Sequence, residues 1–391
     1  MTAPTDKFRP PIRRAAESGW LKFVAVVVLL FVFLVGVKGL GDGFKLLGGE
    51  VLASFFSATR NPFVALMVGI LATTLVQSSS VSTSMIVGLV AAPLDPLPIA
   101  NAIPMIMGAN IGTTVTNTIV SLGHVGRRDE FNRAFAVATC HDFFNFLTVM
   151  VLLPLELATG YLRRSATALA SLVGDRTYGV EFESPLKHAL SLGIAPVKRL
   201  ADLLFGDGRG AAIVVILASA VLIYAALMLI VWVMRTAMAS RVESFITRAL
   251  GRSIVLSMII GIVATVMVQS SSITTSLLVP LAGAGLITLN QAFPITVGAN
   301  IGTTVTALLA WLATSGPHAR DGLIIALVHL LFNLSGTILV LPVPAIRRIP
   351  LTAARWLADT ATRSRRWALI YVIGLFYLLP AALALGNRLF R

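Results

Sequence analysis

The sequence predicts an all-α integral membrane protein made of two inverted-topology repeats with re-entrant hairpins and broken helices. Three observations carry that reading. The 391 residues are 57% hydrophobic and 12% charged, where an ordinary soluble domain carries about 25% charged residues, and the mean hydropathy is +0.88. Apolar runs long enough to cross a bilayer recur along the chain. A set of polar motifs inside the apolar regions returns, in the same order, in the second half.

Residues 1–19 read as a cytoplasmic tail, because Arg9, Arg13 and Arg14, with Lys22 just beyond, place the N-terminus inside. The run from Trp20 to Val37 is longer than the ~7–15 apolar residues of a signal peptide, and no small-residue cleavage site follows. It is the first membrane helix of a unit covering 20–61. Residues 62–157 form repeat 1. Residues 158–210, with Asp175, Glu181, Glu183, Asp202 and Asp207, read as an extracytoplasmic loop. Residues 211–253 hold a linking membrane helix and a cytoplasmic loop, and 254–345 form repeat 2. Residues 346–366 carry Arg347, Arg348, Arg355, Arg363, Arg365 and Arg366 and read as a basic cytoplasmic loop. Residues 367–391 hold the last membrane helix and the C-terminus. Full spans are expected at 20–40, 133–157, 211–234, 322–345 and 367–386. Regions 62–122 and 250–314 are apolar but interrupted by Gly, Pro, Ser, Thr and Asn, a pattern tolerated at membrane depth only inside protein or along a cavity.

The net charge of +14 sits in short clusters between apolar runs, without the aromatic interleaving of a nucleic-acid surface. The one cysteine, Cys140, excludes an intrachain disulfide and reads as a small buried residue.

The duplication is explicit. Gln77-Ser78-Ser79-Ser80 returns as Gln269-Ser270-Ser271-Ser272, 192 positions on. Pro104 returns as Pro294, and "GANIGTTVT" at 108–116 returns letter for letter at 298–306, 190 positions on. "HDFFN" at 141–145 returns as "HLLFN" at 329–333, and Pro154 as Pro342, 188 positions on. Loop 123–133, with Arg127, Arg128 and Arg133, reads as cytoplasmic, whereas its counterpart 315–321 has the single Arg320 and reads as external. With the extra span 211–234 between them, the two repeats are expected to enter the membrane from opposite sides.

Hydroxyls stranded in hydrocarbon are costly unless partnered. Six hydroxyl residues crowd into 75–90, led by Gln77, and a second such run follows Gln269. A hairpin turning at each Gln-Ser-Ser-Ser would expose the N-terminal turn of its second helix, whose free N–H groups and positive dipole end suit an anion. Two such turns facing each other could hold an oxyanion with four oxygens, through Gln77, Ser78, Ser79, Ser80, Gln269, Ser270, Ser271 and Ser272. Simple close packing of small residues remains the alternative. Asn110, Thr113, Thr114, Asn300, Thr303 and Thr304 offer hard oxygens suited to Na⁺, and Gly108, Gly112, Gly298 and Gly302 permit tight backbone there. Asp142 is the sole carboxylate well inside a clear span, which makes it a functional candidate, and Asn145 lies near the same helix face. His141 and His329 precede Asn145 and Asn333 by four residues and read either as packing histidines or as proton sensors. A hydrolase using Ser78 or Ser270 with His141 and Asp142 is disfavoured, because the serine runs are equivalent and the His and Asp side chains point about 100° apart on a helix.

The paired "QSSS" runs, with "MGANIGTTVTNTIVSLGHVGRRDEFNRAFAVATCHDFFNFLTVMVLLPLE" and "HLLFNLSGTILVLPVP", resemble the type II sodium-dependent phosphate cotransporters over most of residues 45–385. The resemblance implies import of inorganic phosphate driven by sodium ions in a multi-pass protein of the cell membrane, in contact with membrane lipid. It implies no enzyme, no organic cofactor and no nucleic acid. It places phosphate between the two Gln-Ser-Ser-Ser turns. Ala136, Ala138 and Asp142 are similar to the pattern of electrogenic members, which implies a sodium site at Asp142 and a preference for divalent phosphate. Asn145, Thr303 and Thr306 match the family's sodium positions. The expected sodium set is therefore Asn110, Thr113, Thr114, Asp142, Asn145, Asn300, Thr303, Thr306 and Asn333. Ala109, Ala299, His124 and Arg127 depart from the family pattern, and the short loop 158–210 reads as that of a compact bacterial version. A sodium-independent anion channel or pore is the alternative function.

Overall fold

The computed structural model describes residues 19–47, 59–173, 185–206, 208–249 and 253–389. Arg9, Arg13 and Arg14 of the tail, the connector 48–58, Asp175, Glu181, Glu183 and Asp207 lie outside the described residues. The described elements are all helical.

Helix α1 (Gly19–Leu47) packs along α9 (Arg209–Ala249). Between them the chain makes its first hairpin. Helix α2 (Pro62–Val76) begins where Asn61 accepts from the Phe63 N–H at 2.9 Å and the Val64 N–H at 3.4 Å, with Pro62 at the first helical position. It stops because Gln77 turns left-handed, with φ 57°, and α3 (Ser79–Val90) restarts from Ser78 as its cap. The second repeat builds the same unit. Helix α10 (Ile254–Val268) is capped by Ser253, ends at left-handed Gln269, and α11 (Ser271–Gly283) restarts from Ser270. A hydrogen bond of 3.0 Å between the Thr265 and Thr274 hydroxyls shows that the chain doubles back; nine residues of straight helix would separate them by about 13.5 Å.

Helix α4 (Ile99–Gly112) and α5 (Val115–Leu122) follow the first hairpin, and α12 (Leu289–Leu312) follows the second. Here the structure corrects the sequence expectation. Region 250–314 was expected to contain no full span, yet Leu289–Leu312 is one unbroken helix. Pro294 lies close to its start, so the backbone bond it deletes would go to the first turn, and Thr288 with Gln291 forms a capping box there. The identical GANIGTTVT of repeat 1 is interrupted at Thr113–Thr114.

Helix α2 lies against α4, and α10 against α12, at backbone contact distance. A Cβ on Gly108 would collide with the Leu66 carbonyl oxygen, and one on Gly298 with the Met258 carbonyl oxygen. These glycines are what lets each hairpin dock on its neighbour.

Helix α6 (Arg128–Thr159) ends at left-handed Gly160. Segment 158–210, expected as a loop, instead contains α7 (Tyr161–Leu172) and α8 (Pro185–Phe205). Their charges conceal apolar stripes at helical spacing: Leu162, Ala166 and Ala170 are buried on one, Leu190, Ile194 and Ala201 on the other. Glu156 Oε2 accepts from the Leu162 N–H at 2.6 Å and the Arg163 N–H at 3.4 Å, which caps α7. Glu156→Ala is expected to destabilise the protein by about 1 kcal/mol, read as a lower unfolding temperature in detergent, with Glu156→Gln recovering part of it.

Helix α13 (Ala319–Val340) precedes α14 (Pro344–Arg363), a second correction, since 346–366 was expected as a loop. Leu351, Ala354, Ala358 and Ala361 of α14 are buried and α14 packs on α6, while Arg348 and Arg355 stay exposed. The chain closes with α15 (Arg366–Ile373), a π turn (Gly374–Leu378) and α16 (Leu379–Leu389). Among the described residues, six helices are long and apolar enough to cross a membrane: Trp20–Leu40, Arg128–Thr159, Arg209–Ile230, Leu289–Leu312, Ala319–Val340 and Arg366–Ala384. The protein is a multi-pass membrane protein.

The repeats interlock. Helix α3 of the first hairpin packs on α12 and α13 of repeat 2, and α11 of the second hairpin packs on α5 and α6 of repeat 1. Arg133 of α6 donates to the Gly283 carbonyl at 2.6 Å and, through Nε, to that of Ala282 at 3.2 Å. A cation thus caps the negative end of α11.

Candidate functional site

The interlocking brings the two Gln-Ser-Ser-Ser turns to one place. Their backbones are nearly superimposable: Gln77 has φ 57°, ψ 24° and Gln269 φ 56°, ψ 26°, while Ser78 has φ −151°, ψ 109° and Ser270 φ −153°, ψ 111°. Each leading serine accepts from the N–H three residues on, Val81 or Ile273, at 3.4 Å. Each glutamine is fixed at both ends. Gln77 donates to the Thr74 carbonyl at 2.5 Å and accepts from Thr116 at 2.9 Å. Gln269 donates to the Val266 carbonyl at 2.7 Å and accepts from Thr306 at 3.3 Å. The second conserved-by-repetition motif therefore clamps the first, since Thr116 and Thr306 are the same letter of GANIGTTVT.

Gln77, Ser78, Ser79, Ser80, Gln269, Ser270, Ser271 and Ser272 all line one small pocket. Leu227 and Met228 of α9 complete its wall. Ser80 donates to Thr306 at 3.4 Å across the repeats, and Asn117 accepts from Thr275 at 2.9 Å and Ser276 at 3.0 Å. Two helix N-termini thus meet over a hydroxyl-lined space, an environment made for an anion rather than a cation.

The residues expected to hold sodium separate into groups. Asn110, Asn145, Asn300 and Asn333 are buried together. Asn145 donates to the Asn110 carbonyl at 2.8 Å and accepts from Asn300 at 2.8 Å. Asn333 donates to Asn110 Oδ1 at 3.2 Å, and His141 Nε2 pairs with Asn300 Oδ1 at 2.5 Å. This amide network crosses both repeats. Thr113, Thr114 and Thr303 donate to carbonyls of their own helices, at 2.9, 2.8 and 3.0 Å. Their lone pairs stay available as acceptors. Thr306 lies at the second turn instead, against Gln269 and Ser80. Thr304, likewise read as a hard oxygen, donates to the Ile301 carbonyl at 2.7 Å. Asp142 is fully buried; its Oδ2 accepts from the Tyr371 hydroxyl at 2.6 Å, and Oδ1 has no hydrogen-bond partner. His141 and Asp142 bond different partners, so no His–Asp relay reaches either serine run. His329 is buried with neither ring nitrogen bonded.

His124 and Arg127 stand apart from the asparagine network and pair with Glu130, at 3.5 and 2.7 Å.

Sequence reasoning missed Thr116, Leu227, Met228 and Tyr371. The repeat itself was the signal for Thr116, which stands where Thr306 does in the second copy. No local pattern marks the other three.

The family model described as Na+/Pi-cotransporter matches twice, over residues 32–172 and 210–350, and each match contains one Gln-Ser-Ser-Ser run and one GANIGTTVT. The chain is 34% identical over 447 residues to sodium-dependent phosphate transport protein 2B of Bos taurus, with 92% of this chain and 64% of the relative covered. It is 35% identical over 428 residues to sodium-dependent phosphate transport protein 2A of Rattus norvegicus, covering 92% and 67%. The chain thus spans about two thirds of the length of these relatives. No solved structure matches it. By the double match of its repeats and this identity over nearly its whole length, the chain belongs to the Na+/Pi-cotransporter family.

Proposed function

We propose that the protein is a secondary active transporter of the cell membrane that imports inorganic phosphate together with sodium ions by alternating access. The observation that carries this reading is the single cavity lined by both Gln-Ser-Ser-Ser turns, in a chain whose relatives bear the name of sodium-dependent phosphate transport proteins. Phosphate sits between the turns. Serine hydroxyls both donate and accept, so they serve protonated and bare phosphate oxygens alike, while the first-turn N–H groups of α3 and α11 face the negative charge. Binding of a dianion without an arginine in the cavity requires a compensating cation. Asp142, with its unpartnered Oδ1, and the buried asparagine and threonine oxygens of Asn110, Thr113, Thr114, Asn145, Asn300, Thr303, Thr306 and Asn333 supply hard oxygens for sodium.

The two hairpins are re-entrant and the repeats inverted in the membrane, so the same site opens to alternate sides as one repeat rocks against the other. Their interlocked packing, with each hairpin held by helices of the other repeat, supports that motion as a coupled one. A net positive charge carried per cycle adds ~2.3 kcal/mol per 100 mV of membrane potential.

Purified protein in liposomes is expected to accumulate radiolabelled phosphate with external sodium, and to stop when choline replaces sodium. An inside-negative potential is expected to speed uptake. Equal flux in choline would overturn the coupled reading and leave a sodium-independent anion channel.

A further inference from the structure

The Tyr371 hydroxyl reaches the buried Asp142 carboxylate, and it comes from the last span, outside both repeats. It donates to Asp142 Oδ2 at 2.6 Å, within the range of a charge-assisted O–H to carboxylate bond. The ring is held on two sides. It stacks on Phe143 with centroids 6.4 Å apart and meets Phe376 edge-on at 5.8 Å. Phe376 in turn lies 6.4 Å from Phe146. The backbone explains the pairing of residues 371 and 376. In a regular helix, residues five apart diverge by about 140°. The π turn at Gly374–Leu378 inserts one extra residue and brings both rings to the same side. Phe376 is completely buried as a result.

With Oδ2 engaged by the Tyr371 hydroxyl, Oδ1, buried and without a hydrogen-bond partner, is the oxygen left to meet an ion. We propose that Tyr371 is a positioning residue for the sodium site at Asp142: the π turn of the last span orients its hydroxyl so that one carboxylate oxygen is held and the other is presented to the cation. The proposal rests on the reading of Asp142 as a sodium ligand and deepens it. The last span also packs on α2 of the first hairpin, so the residue that orients the carboxylate is carried by an element in contact with the phosphate-binding unit.

The test compares Y371F, D142N and the double variant in proteoliposomes. Three quantities are read: the sodium concentration for half-maximal phosphate uptake, the phosphate concentration for half-saturation at saturating sodium, and the gain in unfolding temperature when sodium chloride replaces choline chloride in detergent. Y371F is expected to raise the half-maximal sodium concentration about tenfold, the equivalent of ~1.4 kcal/mol. It is also expected to shrink the sodium-induced thermal shift and leave phosphate half-saturation unchanged. D142N is expected to raise the sodium requirement further, and the double variant to match D142N alone. A Y371F protein that is less stable but keeps the parent's sodium dependence overturns the proposal, because that is all a purely structural anchor would do. So does a double variant whose shift is the sum of the two. A D142N protein with the parent's sodium dependence overturns the reading of Asp142 itself, and that result is recognisable without any measurement on Tyr371.

Discussion

Gly298→Val is expected to yield no folded protein. At this position α12 touches α10 backbone to backbone, and even a methyl group would run into the Met258 carbonyl oxygen, with the Ile262 nitrogen 3.1 Å away. Backbone atoms cannot rotate aside as a flexible side chain can. The two helices would have to separate along their whole contact, and overpacking of ~1–3 kcal/mol per ordinary misfit becomes a loss comparable with the ~5–15 kcal/mol that holds a typical domain together. The same holds for Gly108→Val at the Leu66 carbonyl in repeat 1. Gly88→Ala is the control. Its new Cβ would meet Leu40 Cδ2 at 3.5 Å, an ordinary contact. Size-exclusion profiles and unfolding temperatures in detergent check the set: loss of the monodisperse peak for both valine variants, and near-parent behaviour for Gly88→Ala. A folded, transport-competent Gly298→Val would refute the backbone contact between hairpin and helix.

Gln269→Leu is the second large effect, now on transport. The side chain is similar in size and apolar, yet it cannot accept from Thr306 or donate to the Val266 carbonyl. Leaving buried partners unsatisfied costs about 1–3 kcal/mol, and the loss falls on the turn that presents Ser270, Ser271 and Ser272 to the cavity. Thr306 also accepts from Ser80 of the other turn, so the disturbance reaches both halves of the site. Phosphate half-saturation at saturating sodium is expected to rise by roughly tenfold or more, following the ~1.4 kcal/mol per decade relation. Gln77→Leu, which frees Thr116 instead, is expected to do the same. If both variants bind phosphate as the parent does while their sodium dependence alone moves, phosphate does not sit between the turns.

Much of this was legible without coordinates. Local chemistry fixes local structure. An asparagine before a proline starts α2, and Ser253 starts α10. Serine in an N-cap position after glutamine restarts each hairpin. A letter-for-letter repeat can be read by eye, and it leads to the same residues, Gln77 and Gln269, Thr116 and Thr306, that the structure joins in pairs. The failures are equally physical. Segments 158–210 and 346–366 were read as loops because their charges dominate the composition. Amphipathic helices carry such charges on one face only, and the buried stripe, such as Leu351, Ala354 and Ala358, is sparse. The proline and glycines of 289–312 argued for a break, but a proline near a helix start costs little, and those glycines serve the neighbouring helix.

The sequence alone determined that this chain is an apolar, duplicated membrane protein with two equivalent hydroxyl-rich turns and one acid, Asp142, well inside a clear span. Periodicity, caps and repeats are properties of neighbours along the chain, and a sequence states them directly. Only the tertiary structure decided that the two turns share one cavity, that Leu227 and Met228 wall it, that four asparagines from both repeats bond one another, and that Tyr371 of the last span reaches Asp142. Those partners lie scores to hundreds of positions apart. Their meeting is set by how whole helices pack against one another, and no short stretch of residues records which distant helix will supply its partner.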